Sequence, residues 1–255
     1  MEFQYISDIH LETGNKIAVV PSAPYLILAG DIGNPYEPEY ITFIRDVSKQ
    51  FEHIFIVTGN HEYYNKNNIS MKETENYIRN ILSEFPNCHF MNNEIFDMPN
   101  SNVSIFGSTF WTQIEENEVP NITCFVRDYY LIPQFTPEVC NRLHDEAIHS
   151  LADKIKKHPN REWIVISHHI PKYDLIHTRY KNNPFNSAFA SSRHDLATLL
   201  DQNNIVAVVY GHTHVPSIQS KYYCNPYGYP NEYENQSTSL SKTFRIEKYL
   251  MNKTP

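Results

Sequence analysis

Five times along this chain a short run of strand-forming residues ends in a cluster of aspartate, asparagine and histidine, and this repetition constrains the fold more than any other feature. The runs are residues 3–7 (FQYIS), 25–29 (YLILA), 53–57 (HIFIV), 163–166 (WIVI) and 205–210 (IVAVVY). The clusters that follow them are Asp8-Ile9-His10, Gly30-Asp31, Gly59-Asn60-His61-Glu62, His168-His169 and Gly211-His212-Thr213-His214. Runs this short and rich in Val, Ile, Tyr and Phe read as buried strands. A sixth run, residues 103–106 (VSIF), has no such cluster.

Helix-length amphipathic stretches lie between the runs, at residues 38–51, 70–85, 137–158 and 192–202, with Ser70 and Glu73 at capping-box spacing. This alternation predicts an α/β architecture with helices covering sheet faces. In such sheets ligands bind beyond the carboxyl ends of the strands, so broadly parallel strands would bring all five clusters to one edge. From Val215 onward the pattern changes to strand-like pieces, 217–224 (SIQSKYYC) and 242–250 (KTFRIEKYL), around the turn-rich segment 225–236. These pieces predict a terminal antiparallel extension of the sheet. Residues 112–134 read as a loop and as a candidate cap over the site. With no internal repeat, low-complexity tract or linker, residues 1–255 are expected to form a single domain.

The cluster residues carry one kind of chemistry. Imidazole, carboxylate and carboxamide oxygen suit Mn, Fe or Zn, and no thiolate accompanies them to suggest a purely structural zinc site. Asp8, His10, Asp31, Asn60, His168, His212 and His214, with His61 beside them, are too many donors for one open ion and suit two that share a carboxylate. The chain has 7 glycines in 255 residues, and three of them, Gly30, Gly59 and Gly211, immediately precede a candidate ligand. Glycine there lets the main chain approach an ion or a phosphate closely. Taken singly the pieces are weak: DxH and HH pairs are common, and a strand ending in Gly-Asp is more often a plain turn. The ordered combination is what points to metal.

That ordered set of DxH, GD, GNHE, HH and GHTH resembles the calcineurin-like metallophosphoesterase superfamily, from Asp8 to His214. The segments HHIP at His168, AFASS at Ala188 and NPYGYPNE at Asn225 further resemble an uncharacterised bacterial or phage-type subgroup. The resemblance implies a four-layer αββα sandwich, with mixed sheets inside and helices on the outer faces. It also implies two divalent metal ions, Mn, Fe or Zn. Asp8, His10 and His214 would hold one, Asn60, His168 and His212 the other, and Asp31 would bridge them. His61 would stand beside the ions as an acid. The set is complete, which argues against a degenerate, non-catalytic homologue.

Two cations about 3.5–4 Å apart clamp a phosphate and lower the pKa of a bridging water until hydroxide is available near neutral pH. The hydroxide would attack phosphorus in line with the leaving oxygen, and His61 would protonate that oxygen. Glu62 is expected either to orient or charge-stabilise a neighbouring imidazole, or to be solvated. Asn60, His169, Arg127 and Arg179, with His177, are candidates to touch substrate. For His169 plain packing is an equal reading, and Arg127 would equally pair with Asp128. The C-terminal tyrosines Tyr222, Tyr223, Tyr227, Tyr229 and Tyr233 invite base stacking, but half-buried rings on amphipathic strands explain them more simply.

The leading expectation is a phosphodiesterase on a small or nucleotide-type substrate. The alternatives are a phosphomonoesterase or protein phosphatase, a nuclease, or a metal-binding regulatory or scaffold protein without turnover. A formal charge of −8 and the lack of a Lys/Arg stripe disfavour nucleic acid as a partner. Four dispersed cysteines without a CxxC pair point to free thiols in a reducing compartment. The N-terminus lacks a signal-peptide pattern, and no apolar run approaches the roughly 20 residues that span a bilayer. A cytoplasmic protein without membrane contact is the expectation.

Overall fold

The central strands are apolar on both faces because both faces are covered, and alternate side chains of each strand belong to different cores. The computed structural model describes residues 1–232 and 240–247. Strands β1 (Glu2–Ile6), β2 (Tyr25–Ala29), β3 (His53–Val57) and β4 (Cys88–Phe90) run parallel, and β11 (Thr243–Arg245) pairs antiparallel with β1. In the second sheet β6 (Val103–Gly107), β7 (Glu162–Ile166), β8 (Ile205–Tyr210) and β10 (Tyr222–Cys224) are parallel. Its edges are the antiparallel strands β5 (Glu94–Asp97) and β9 (Ser217–Gln219). The orders are β11-β1-β2-β3-β4 and β5-β6-β7-β8-β10-β9.

Phe3, Tyr5, Ile27, Phe55 and Val57 of the first sheet meet Ile105, Ile164, Ile166, Ala207 and Val209 of the second in one core between the sheets. On the outer face of the first sheet, Ile6, Leu26, Leu28, Ile54 and Ile56 pack against α1 (Pro38–Ser48) and α2 (Met71–Leu82). On the outer face of the second, Trp163, Val165, Val208 and Tyr210 pack against α5 (Pro137–Lys157) and α6 (His194–Leu200). The layers are therefore αββα, as the resemblance implied. Local signals set the helix ends. Pro38 opens α1, Ser70 and Glu73 close a capping box on α2, and the Thr136 hydroxyl accepts from the Val139 N–H at the start of α5.

Residues 112–134 are not a plain loop. They contain α3 (Val119–Phe125) and α4 (Asp128–Leu131), and Ile122, Ile132 and Phe135 join Tyr63, Trp111 and Cys140 in a separate small core. The C-terminal extension also departs from expectation. The β9–β10 hairpin continues the second sheet, with β10 parallel to β8, while β11 crosses to the edge of the first. Tyr233 and residues 248–250 lie outside the described residues. Tyr223 stacks on Phe244 with centroids 4.6 Å apart and meets Tyr5 edge-on, the simple packing role.

Candidate metal centre

Register brings the clusters together. Ile6, Leu28 and Ile56 lie side by side across β1, β2 and β3, so Asp8, Asp31 and Asn60 emerge at one edge. Ile166 and Val209 are partners across β7 and β8, and they deliver His168 and His212 to the same edge from the other sheet. The clusters thus converge from two facing sheets, not from one. Asp8, His10, Asp31, His212 and His214 all have positive φ, between 50° and 68°. Non-glycine residues held in the left-handed region gather at functional sites, where the surroundings must over-determine them. A Cβ at Gly59 would run into the Asp31 carboxylate and the His168 ring, so glycine is required for those two side chains to approach the turn.

The side chains form two groups joined by one carboxylate. His10 Nε2 lies 3.1 Å from His214 Nε2, and His214 Nε2 lies 3.4 Å from Asp8 Oδ1. In the second group His168 Nε2 lies 3.1 Å from both Asn60 Oδ1 and His212 Nδ1. Asp31 Oδ2 stands between them, 3.7 Å from His10 Nε2 and 3.5 Å from His168 Nε2. Among the described residues three sets lie close enough to hold an ion, Asp8-His10-His214 and Asp31-His168-His212 within these groups and His10-Glu12-His61 beside them.

Outer partners fix which nitrogen faces inward. His168 Nδ1 donates to the Ala29 carbonyl at 2.9 Å, His10 Nδ1 to Glu12 at 3.0 Å and His214 Nδ1 to Glu232 at 2.7 Å. Each neutral ring then presents a bare Nε2 lone pair to the centre. Asn60 donates its amide to Asp128 at 2.8 Å and to the Tyr64 hydroxyl at 3.0 Å, which turns its oxygen toward His168. Acceptors facing acceptors at 3.1 Å repel unless a cation or a proton lies among them, so the donor set fits a metal ion in each group. Protons are the only other remedy. Against the effect of burial, Asp31 pushes His168 up to about 9, and Asp8 and Glu232 push His214 up to about 10. Although burial opposes its ionisation, the His168, His61 and His10 rings hold Asp31 well below the usual carboxylate range. A cation would displace those protons.

His61 lies beside the groups. Its Nδ1 bonds Glu12 at 2.9 Å, its Nε2 bonds the Tyr229 hydroxyl at 3.1 Å, and Nε2 is 4.0 Å from Asp31 Oδ2. Burial would lower its proton affinity, but Asp31 and Glu12 together raise it. Glu62 is not solvated and hydrogen-bonds no imidazole among the described residues, though against the cost of burial the His168 charge favours its ionised form. It is buried, and its carboxylate accepts the backbone N–H groups of Gly59 at 2.7 Å, Ile32 at 2.7 Å and Asp31 at 3.1 Å, tying the loops after β2 and β3 together.

The groups open onto a cavity of about 380 Å³, walled by residues of the 125–128 segment, the 170–189 segment and the Tyr229–Glu232 turn. Arg127 lines it. Arg179 does not, and its guanidinium lies over the Tyr180 ring at 4.6 Å. His177 is exposed outside the cavity. His169 is buried behind the centre, with its ring 4.4 Å from His212 and 5.0 Å from Trp111. Sequence reasoning missed Glu12, Tyr64, Tyr229, Glu232 and the part Asp128 plays. Only Glu12 carried a usable signal, being two residues beyond a candidate ligand.

The family model for calcineurin-like phosphoesterases matches residues 3–216. An uncharacterized protein of Acanthamoeba polyphaga mimivirus is 34% identical over 241 residues, covering 84% of this chain and 85% of the relative. Among solved structures, the phosphopantetheinyl hydrolase PptH of Mycobacterium tuberculosis superposes with a TM-score of 0.71 at 20% identity, over 91% of this chain and 93% of that one. That similarity is one of fold.

Proposed function

The chain belongs to the calcineurin-like phosphoesterase family, and on that premise we propose that it is a dinuclear-metal phosphodiesterase of a small or nucleotide-type substrate, with His61 as proton donor to the leaving oxygen. At family level it is a metal-dependent hydrolase of phosphate esters. The observation that carries the finer reading is the position of Asp31, whose Oδ2 lies within 3.7 Å of a nitrogen from each group. On this reading Asp8, His10 and His214 hold one cation, Asn60, His168 and His212 the other, and Asp31 both.

A pair of divalent cations, Mn, Fe or Zn, supplies phosphoryl charge neutralisation and a water of lowered pKa when bound. The chain's own residues supply the rest. Glu12 and Glu232 hold ligand imidazoles with the correct nitrogen inward, and Asp128 does the same for the Asn60 oxygen. His61 presents Nε2 on the cavity side, where a proton can reach a leaving oxygen. Arg127 is the sole Lys or Arg among the described residues lining the cavity, and the carboxylates Asp31, Asp128 and Glu232 also line it. Beyond the charge that the two cations would offset, that lining offers a second negative charge only Arg127, which supports a diester over a monoester. The four cysteines are unpaired, which supports residence in the reducing cytoplasm. Among the described residues no helix is long and apolar enough to cross a membrane.

The test is to strip the protein with chelator, restore Mn²⁺, and compare initial rates on bis-p-nitrophenyl phosphate and p-nitrophenyl phosphate. Metal-dependent turnover of the diester is expected. Preference for the monoester would turn the reading to a phosphomonoesterase, and no turnover with any of Mn²⁺, Fe²⁺ or Zn²⁺ would overturn it.

A further inference from the structure

One wall of the cavity, which reaches His212 through the stacked Phe189 ring, carries a chemistry that phosphate binding does not need. Phe125, Val126, Ile170, Ile176, Phe185 and Phe189 face it, contributed by the end of α3 and by the 170–189 segment. Phe125 is 67% exposed and Tyr180 37% exposed, and both line the cavity. Large apolar side chains are rarely left that open, and contiguous ones mark a place where something apolar sits. The Phe125 ring, from the end of α3, and the Phe185 ring, from the 170–189 segment, meet with centroids 5.9 Å apart.

Charge narrows the occupant. Arg127 is the one Lys or Arg among the described lining residues, and three carboxylates, Asp31 at the metal groups with Asp128 and Glu232, share the lining with it. Away from the metal groups, a second phosphate or a carboxylate on the substrate would have Arg127 as its one Lys or Arg partner and would face Asp128 and Glu232. The volume of about 380 Å³ lies at the small end of ligand sites, enough for one bulky group beside the reacting phosphate.

We infer that the substrate is a phosphate ester whose organic group is uncharged and apolar, of about the bulk of one ring, seated against Phe125, Phe185 and Phe189 while the phosphate faces Asp31. The inference rests on the phosphoesterase reading and adds the substrate class to it. Polyphosphates and oligonucleotides, which carry a charge on every unit, are disfavoured by the same wall.

The experiment compares three diesters that share the p-nitrophenolate leaving group on the Mn²⁺-loaded protein and differ in the second ester group, which is methyl, benzyl or 4-carboxybenzyl. The benzyl ester is expected to exceed the methyl ester in kcat/KM by about tenfold, from the apolar area it buries, and the carboxylate is expected to abolish the gain. In Phe125→Ala, where the removed ring is mostly exposed and its loss does not threaten the core, the benzyl-to-methyl ratio is expected to fall toward one. A benzyl ester no better than the methyl ester, or a carboxybenzyl ester better than both, overturns the inference. Calorimetric binding of benzylphosphonate and methylphosphonate to the Mn²⁺-loaded protein gives a second readout that needs no turnover. Tighter binding of benzylphosphonate upholds the apolar seat even if no ester is hydrolysed and the esterase reading falls. Equal binding overturns the seat even if the esters are turned over.

Discussion

One oxygen of Glu12 accepts hydrogen bonds from two histidines, His10 Nδ1 at 3.0 Å and His61 Nδ1 at 2.9 Å. A single carboxylate thus orients the His10 ring of the first group and the His61 ring, on the proposed reading a ligand and the proton donor. Against the cost of burial, the two imidazoles hold it down to about 2, so it stays ionised through the neutral range. Such outer carboxylates commonly contribute about 10–100-fold in metal affinity or activity. Glu12→Gln is expected to lose that much in kcat on the diester, with weaker metal retention in a chelator titration. A variant with native rate and native metal retention would remove Glu12 from the machinery.

His61 and Asp31 are expected to fail differently. His61→Ala should keep two ions per chain by elemental analysis and lose about 10²–10⁴-fold in rate, most with poor leaving groups. Asp31→Ala removes the oxygen that lies between the two groups, and metal content should fall along with activity. A leaving-group series that stays flat for His61→Ala would count against the proton-donor role.

His144, on α5, bonds the Ser191 hydroxyl at 2.9 Å and is buried, and burial together with the Arg193 charge pushes it down to about 4. An unfolded chain binds its proton near pH 6.5, so between 6.5 and 4 the unfolded state holds more protons than the folded one. The stability tied to the neutral ring is complete above about 6.5 and is lost as pH falls toward 4, on the order of 3 kcal/mol. Urea midpoints measured across that window should decline steeply in the native protein and less steeply in His144→Gln. Equal slopes would show that other groups govern the acid limb.

The capping box at Ser70 lies on the surface, away from the cavity. Ser70→Ala removes the side-chain acceptor for the Glu73 N–H and is expected to lower stability by about 1 kcal/mol in urea titrations. Diester turnover should stay at the native level, which makes the variant a control for stability effects in the series above.

The six apolar runs were legible because strands buried on both faces write themselves as unbroken Val, Ile, Leu and Phe. β5 was not, since Glu94 and Asp97 are exposed and its residues pair along one edge only. β4 spans three residues, too few to show a period. α3 has three β-branched residues and a proline in seven, so it is held by Ile122 in the small core rather than by propensity. The candidate ligands announced themselves as Asp, His and Asn at strand ends. Glu232 and Asp128 could not, because a carboxylate that orients a ligand reads in sequence like any surface acid, and only the fold reveals that it faces the ligand.

The backbone at the centre is set by covalent geometry and by protein partners, with left-handed turns at five of the candidate ligands and Glu62 bound to three main-chain N–H groups. Such loops have protein partners of their own, unlike a zinc finger, which is unfolded without its ion. On the proposed reading, loading is expected to follow folding and to be reversible. The ions would then be exchangeable in a finished molecule, and the relative abundance of divalent cations in its surroundings would decide which pair is resident.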